Sequence, residues 1–152
     1  MQKNFFSLLG LAICFLISSC GNNNTTEKPK ETAPTVSAEK DKGIGKFTNV
    51  QLTHPLDSVM IEKGKLQFDI KCMACHKLTS EKLVGPGWKG VTDRRTPEFI
   101  MNFTTNTDEM LNKDPNAKAL LDVCMVRMPN QNLTDDEARQ VLEFMRKNDG
   151  KN

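Results

Sequence analysis

Cys72-Met73-Ala74-Cys75-His76 sets two thiols and an imidazole within one short stretch of a 152-residue chain. This C-x-x-C-H spacing is that of covalent c-type haem attachment. Two thiols three residues apart on one helical turn can add to the two vinyl groups along one porphyrin edge. The following histidine then lies under the iron. Two other chemistries use a C-x-x-C pair. A thioredoxin-like dithiol needs a βαβ setting, and no run of alternating apolar residues suggests strands. A four-ligand zinc site needs two further ligands, and in the folded part only Cys124 and His54 remain as sulfur or imidazole donors. One covalent haem c with its iron is therefore the expected cofactor, bound through Cys72 and Cys75, with His76 as an axial ligand.

Outward from the motif the chain alternates helical signals with loops. Upstream, Asp57 or Ser58 caps a predicted helix with apolar positions at Val59, Ile61, Leu66, Phe68 and Ile70. Downstream, Thr96-Pro97-Glu98 places a cap before a proline at the first helical position. It opens the apolar run Phe99-Ile100-Met101-Asn102-Phe103. Asp114-Pro115 repeats the arrangement before Ala117, Ala119, Leu120, Leu121 and Val123. Thr134-Asp135-Asp136-Glu137 reads as a capping box, leading a helix with Ala138, Val141, Leu142 and Met145 at helical spacing. Arg146 and Lys147 complement the dipole at its end. The predicted fold class is all-α.

In the order of these parts (helix, C-x-x-C-H, Gly-Pro loop, methionine loop, last helix) the chain resembles the class I cytochromes c over about residues 58–148. The resemblance implies helices wrapped around one haem. Leu83-Val84-Gly85-Pro86-Gly87 matches the family's Gly-Pro loop, so the Pro86 carbonyl is expected to accept the Nδ1 hydrogen of His76 and orient the ring. The sixth iron ligand in this family is a methionine ahead of the last helix, commonly followed by proline. Met128-Pro129 fits, and thioether ligation raises the potential relative to a second histidine. Met125 is the nearest competitor. Met60, Met101 and Met145 read as core fillers on helices, Met73 lies inside the attachment motif, and Met110 falls in a predicted loop. His54, before Pro55, reads as an exposed loop residue. Gly64 and Phe68 match the small-plus-aromatic pattern by which the family's first helix crosses its last, with Val141 and Phe144 as partners. Trp88 is expected to pack on the haem. Arg94 and Arg95 either pair with a propionate or flank a helix in solvent.

The beginning of the chain reads differently. Lys3, the apolar run from Phe5 to Ile17 and the ending Ile17-Ser18-Ser19-Cys20-Gly21 resemble a bacterial lipoprotein signal, too short for a stable span. Residues 1–19 are the expected signal peptide, with Cys20 as the acylated first residue of the mature protein. Several acyl chains on one residue hold a soluble domain firmly to a bilayer. Residues 20–48, polar and rich in Asn, Thr, Glu, Lys and Pro, are expected to be a flexible tether reaching roughly 25–30 Å. Residues 49–152 are the predicted monohaem domain. From Phe47 onward basic and acidic residues balance at 15 each, which speaks against nucleic-acid binding. Cysteine arithmetic leaves Cys124 over, expected as a buried, inert thiol.

These readings describe an electron carrier rather than an enzyme. It is expected to be anchored by lipid to the cell membrane or the outer membrane and to face the periplasm. Gly21 after the lipidated cysteine leans toward outer-membrane sorting. Lys71, Lys77, Lys82 and Lys89 near the motif offer a basic rim for an acidic redox partner. A quinol-oxidising complex would lie upstream, and a terminal oxidase or nitrogen-oxide reductase downstream. Two rival readings remain: a five-coordinate gas-binding or sensor haem, which requires that Met128 not ligate, and a fixed haem subunit of a larger respiratory complex. A peroxidase would want an open iron and a distal acid–base residue, and only His54 is spare.

Overall fold

The computed structural model describes residues 41–152. Its helices begin where side chains can occupy the free amides of a first turn. α1 (Ser58–Gln67) is capped by Asp57, whose carboxylate accepts from the Met60 amide. It runs directly into a π-helical turn, Phe68–Cys72, in which the Met73 amide donates to the Phe68 carbonyl at 2.9 Å. A short α2 (Val91–Arg94) follows the loop that carries the C-x-x-C-H and Gly-Pro motifs. α3 (Pro97–Thr105) has Thr96 as cap and Pro97 in its first turn. α4 (Thr107–Lys113) follows at once. Asp114 and Pro115 start α5 (Pro115–Cys124), and α6 (Asp135–Asn148) opens on a complete capping box between Thr134 and Glu137. There is no strand among the described residues, only a single antiparallel bridge between His76 and Lys82. The all-α expectation holds. Met110, expected in a loop, sits instead on α4 and is completely buried.

The main packing contact is the crossing of α1 over α6. Gly64 makes it possible: a Cβ there would stand 2.6 Å from the Gln140 carbonyl carbon and 2.9 Å from the Phe144 Cβ. Phe68 then reaches the Phe144 ring, centroids 5.7 Å apart. Val141, Leu142 and Met145 of α6, with Ile100 and Met101 of α3, complete this core. A second, smaller core joins Phe99 to Met110, Leu111 and Ala117 under the α4–α5 hairpin. Three of the apolar positions read for the first helix are exposed: Val59 and Leu66 on α1, and Ile70 in the π-turn. They lie opposite Gly64 and Phe68 on the helical wheel, so the face that meets α6 cannot include them.

Beneath the crossing, the Glu143 carboxylate is fully buried. It accepts from the Thr53 hydroxyl (2.7 Å), the Asp57 amide (3.1 Å), Arg139 (2.6 Å) and Arg146 (2.8 Å). Burial works to raise its pKa, but these donors outweigh that and hold it down at about 2.

Of the expected tether, residues 20–48, only 41–48 are among the described residues. Residues 41–48 pack on α3 and α4. Asp41 is buried against Arg95 at 2.6 Å, and its carbonyl accepts from the Thr96 hydroxyl. The Asn102 amide donates to the Lys42 and Phe47 carbonyls, and its oxygen accepts from the Phe47 amide. The Ile44 amide donates to the Met110 sulfur at 2.9 Å. Polar side chains order this stretch, which apolar content alone would not. Arg95 is thereby committed to Asp41, and Arg94 to the Lys89 and Gly87 carbonyls.

Candidate functional site

The π-turn places Cys72 on the buried side, between Phe68 and the loop that follows. Burial pushes its thiol up to about 11, against the pull of Lys71. The chain then turns tightly: the Cys75 and His76 amides both donate to the Cys72 carbonyl. The Gly-Pro loop folds back on this turn, with the Val84 and Gly85 amides donating to the Cys75 carbonyl. His76 Nδ1 lies 2.8 Å from the Pro86 carbonyl. A carbonyl only accepts, so Nδ1 carries the hydrogen and Nε2 the lone pair. Burial lowers the pKa of His76, and the Pro86 carbonyl partly restores it. Trp88, expected against the haem, packs edge-on to Phe68 (4.7 Å) and beside the His76 ring (5.8 Å).

Opposite His76, the α4–α5 hairpin and the segment after it form the other wall of an open apolar cleft. Phe103, Leu111, Leu120, Leu121 and Met128 face Cys75, His76 and Pro86 across it. Met125, the rival methionine, has a left-handed backbone (φ 57) at the end of α5 and is 83% exposed. Cys124, expected to be buried, is half-exposed and lines the cleft. His54 lies elsewhere, bonded through Nδ1 to the Asn152 backbone oxygen. Two lysines lace the walls together: Lys82 donates to the Val123 carbonyl (3.0 Å) and Lys71 to the Gln131 carbonyl (3.2 Å).

A family profile described as Cytochrome c matches residues 61–149. Among solved structures, a cytochrome c from Rhodothermus marinus is 32% identical, with a TM-score of 0.67 over 70% of this chain and 90% of that one. An engineered form of that protein, Rma TDE, is 31% identical with a TM-score of 0.66, covering 70% and 91%. No curated protein matches the chain.

The chain belongs to the cytochrome c family. It is a haem-based electron carrier of class I type, with one covalent haem c and its iron as cofactor. The residues present fit that group. The cleft is apolar, one wall holds an imidazole whose outer nitrogen is already engaged, and the other holds a thioether. Cys72 and Cys75 would carry the porphyrin, and His76 and Met128 would bind the iron. Cys20 lies outside the described residues. Three features of the site escape the sequence reading: the π-turn, the close fit of Gly85 to the His76 ring, and the anchoring of Arg127 beside Met128. None has a local signature, because each depends on what another part of the chain brings near.

Proposed function

We propose that this cytochrome c is lipid-anchored through Cys20, faces the periplasm, and passes single electrons between respiratory partners through a His76/Met128-ligated iron. The observation that supports this most is the pairing of His76, its Nδ1 donating to the Pro86 carbonyl at 2.8 Å, with Met128 across one apolar cleft. The haem supplies the one-electron couple. The polypeptide keeps water from it, orients His76 through Pro86, and presents a sulfur ligand suited to both oxidation states. His76 and Met128 holding the iron in both oxidation states would leave little to rearrange on electron transfer and no open position for a gas.

The surroundings of the motif support docking on an acidic partner. Of its four lysines, Lys77 is paired with Glu81. Lys71, Lys82 and Lys89 give their ammonium groups to backbone carbonyls and form no ion pair among the described residues. A quinol-oxidising complex upstream, and a terminal oxidase or nitrogen-oxide reductase downstream, suit a carrier placed this way. The test is the ferrous protein with carbon monoxide at neutral pH. A closed, six-coordinate carrier takes the gas slowly or not at all, and its reaction with an acidic redox partner slows as salt is added. Ready gas binding would replace this reading with a gas-binding one. Mass spectrometry of membrane-extracted protein checks the anchor: an acylated N-terminus at Cys20 is expected, and soluble mature protein starting elsewhere sinks it.

A further inference from the structure

The segment that carries Met128 is fastened in few places. From Val126 to Leu133 its backbone makes no backbone-to-backbone hydrogen bond among the described residues. Within the segment, the Asn132 amide donates to Asn130 and the Gln131 side chain to the Pro129 carbonyl, which shape it without attaching it to anything. Leu133 anchors its far end in the main core. Two polar ties reach outside. On one side of Met128, the Arg127 guanidinium donates to the Asp108 carboxylate (3.0 Å), the Asp108 carbonyl (3.3 Å) and the Asn112 side chain (3.1 Å), all on α4. On the other side, Lys71 of the π-turn, next to Cys72, donates to the Gln131 carbonyl at 3.2 Å.

We propose that Arg127 and Lys71 are positioning residues for Met128: they pin its segment to α4 and to the π-turn, and so hold the sulfur over the cleft. The proposal rests on Met128 being the sixth ligand. When a weak ligand bond breaks, it re-forms in proportion to the fraction of time the free loop keeps the binding conformation. A loop with no backbone ties owes that fraction to its side-chain anchors. The Arg127–Asp108 pair is partly exposed, 42% and 63%, so a single ion pair there would contribute little. One guanidinium nitrogen sharing its two hydrogens among acceptors on one helix, with a second tie beyond Met128, is a stronger constraint than the pair alone.

The experiment uses the full-length, haem-loaded protein and two readouts: the near-infrared sulfur-to-iron band of the ferric form, and the rate of carbon monoxide uptake by the ferrous form. Arg127→Ala and Lys71→Ala should each speed gas uptake about three- to tenfold and lower the temperature at which the band is lost. Arg127→Lys should recover part of the effect. Asp108→Ala should act in the same direction from the α4 side, and serves if Arg127→Ala does not fold. Lys113→Ala removes a comparable exposed pair on α4, with Glu109 at 2.8 Å, that does not touch the segment; it should leave both readouts unchanged. Wild-type behaviour in both Arg127→Ala and Lys71→Ala, while Met128→Ala abolishes the band, overturns the positioning role and leaves Met128 standing. Equal effects from Lys113→Ala also overturn it, by reducing the effect to loss of helix stability. A band that survives Met128→Ala removes the ligand reading on which the proposal rests.

Discussion

At Gly85 there is no room for a side-chain carbon: a Cβ would lie 2.8 Å from His76 Nδ1 and 2.9 Å from Nε2. The residue before Pro86 must be glycine if the Pro86 carbonyl is to reach Nδ1. Gly85→Ala should displace the imidazole or the loop, at a cost of about 1–3 kcal/mol for overpacking. Thermal unfolding and the yield of haem-loaded protein would register it, and normal values for both would show that the loop yields freely. The Gly-Pro pair is legible in the sequence through resemblance, but the crowding that requires the glycine is not, since the ring arrives from an earlier turn. The two methionines near the cleft are separated by their surroundings in the same way. Met128 lines the cleft, whereas Met125 is 83% exposed at the end of α5. Met128→Ala should abolish the near-infrared band, lower the potential and admit carbon monoxide. Met125→Ala should leave all three nearly unchanged. The opposite pattern would exchange their roles.

Helix starts are local chemistry, and Asp57, Thr96, Asp114 and Thr134 are all found capping as their sequence neighbourhoods suggest. Which face of a helix is buried depends on its partner, and that is less legible. α1 carries apolar residues all round, so its pattern alone could not say that Gly64 and Phe68, rather than Val59 and Leu66, meet α6. α2 and α4 go unseen because both are short, four and seven residues. Glu143 reads as one more charge on a polar helix, yet it gathers Thr53, Asp57, Arg139 and Arg146 under the crossing. Its folded pKa, about 2, lies below the usual 4.5. The stabilisation is therefore fully present above pH about 4.5 and is lost as pH falls toward 2, amounting to about 3 kcal/mol. Glu143→Gln should destabilise the protein at neutral pH by about 3–5 kcal/mol, by leaving the buried Arg146 and the half-buried Arg139 uncompensated. It should also flatten the acid limb of the melting temperature against pH. An acid limb as steep as wild type would assign that dependence to other carboxylates.

Over the described part of the molecule, apolar contact falls into two unequal bodies, both of which take residues from α3, and the cleft is lined by residues packed on the smaller. The larger one, where α1, α3 and α6 meet, has eleven buried residues; the smaller has four. α5 packs chiefly on α4, and α4 on α3 and α5. The half-buried Phe103, Leu120, Leu121 and Met128 pack on the smaller core and also face the cleft. The class I plan was legible because its motifs occur in order along the chain. The attachment of residues 41–48 was not, because it rests on Asn102, Met110 and Arg95, distant in sequence and unremarkable in type. This asymmetry has a consequence for folding. A domain of about 100 residues has a modest core even when intact, and here the group filling the cleft also joins the α4–α5 hairpin to the rest. Replacing Cys72 and Cys75 by Ala, which prevents covalent attachment, should leave little stable protein in the cell. In the haem-free protein, amide exchange should be fastest in α5 and the Met128 segment. The α1–α6 crossing, with its own core and the Glu143 network, should keep the most protection. No sharp thermal transition is expected. A cooperative transition of the haem-free protein, with Pro115–Cys124 as protected as Asp135–Asn148, would show that the polypeptide core suffices without the haem.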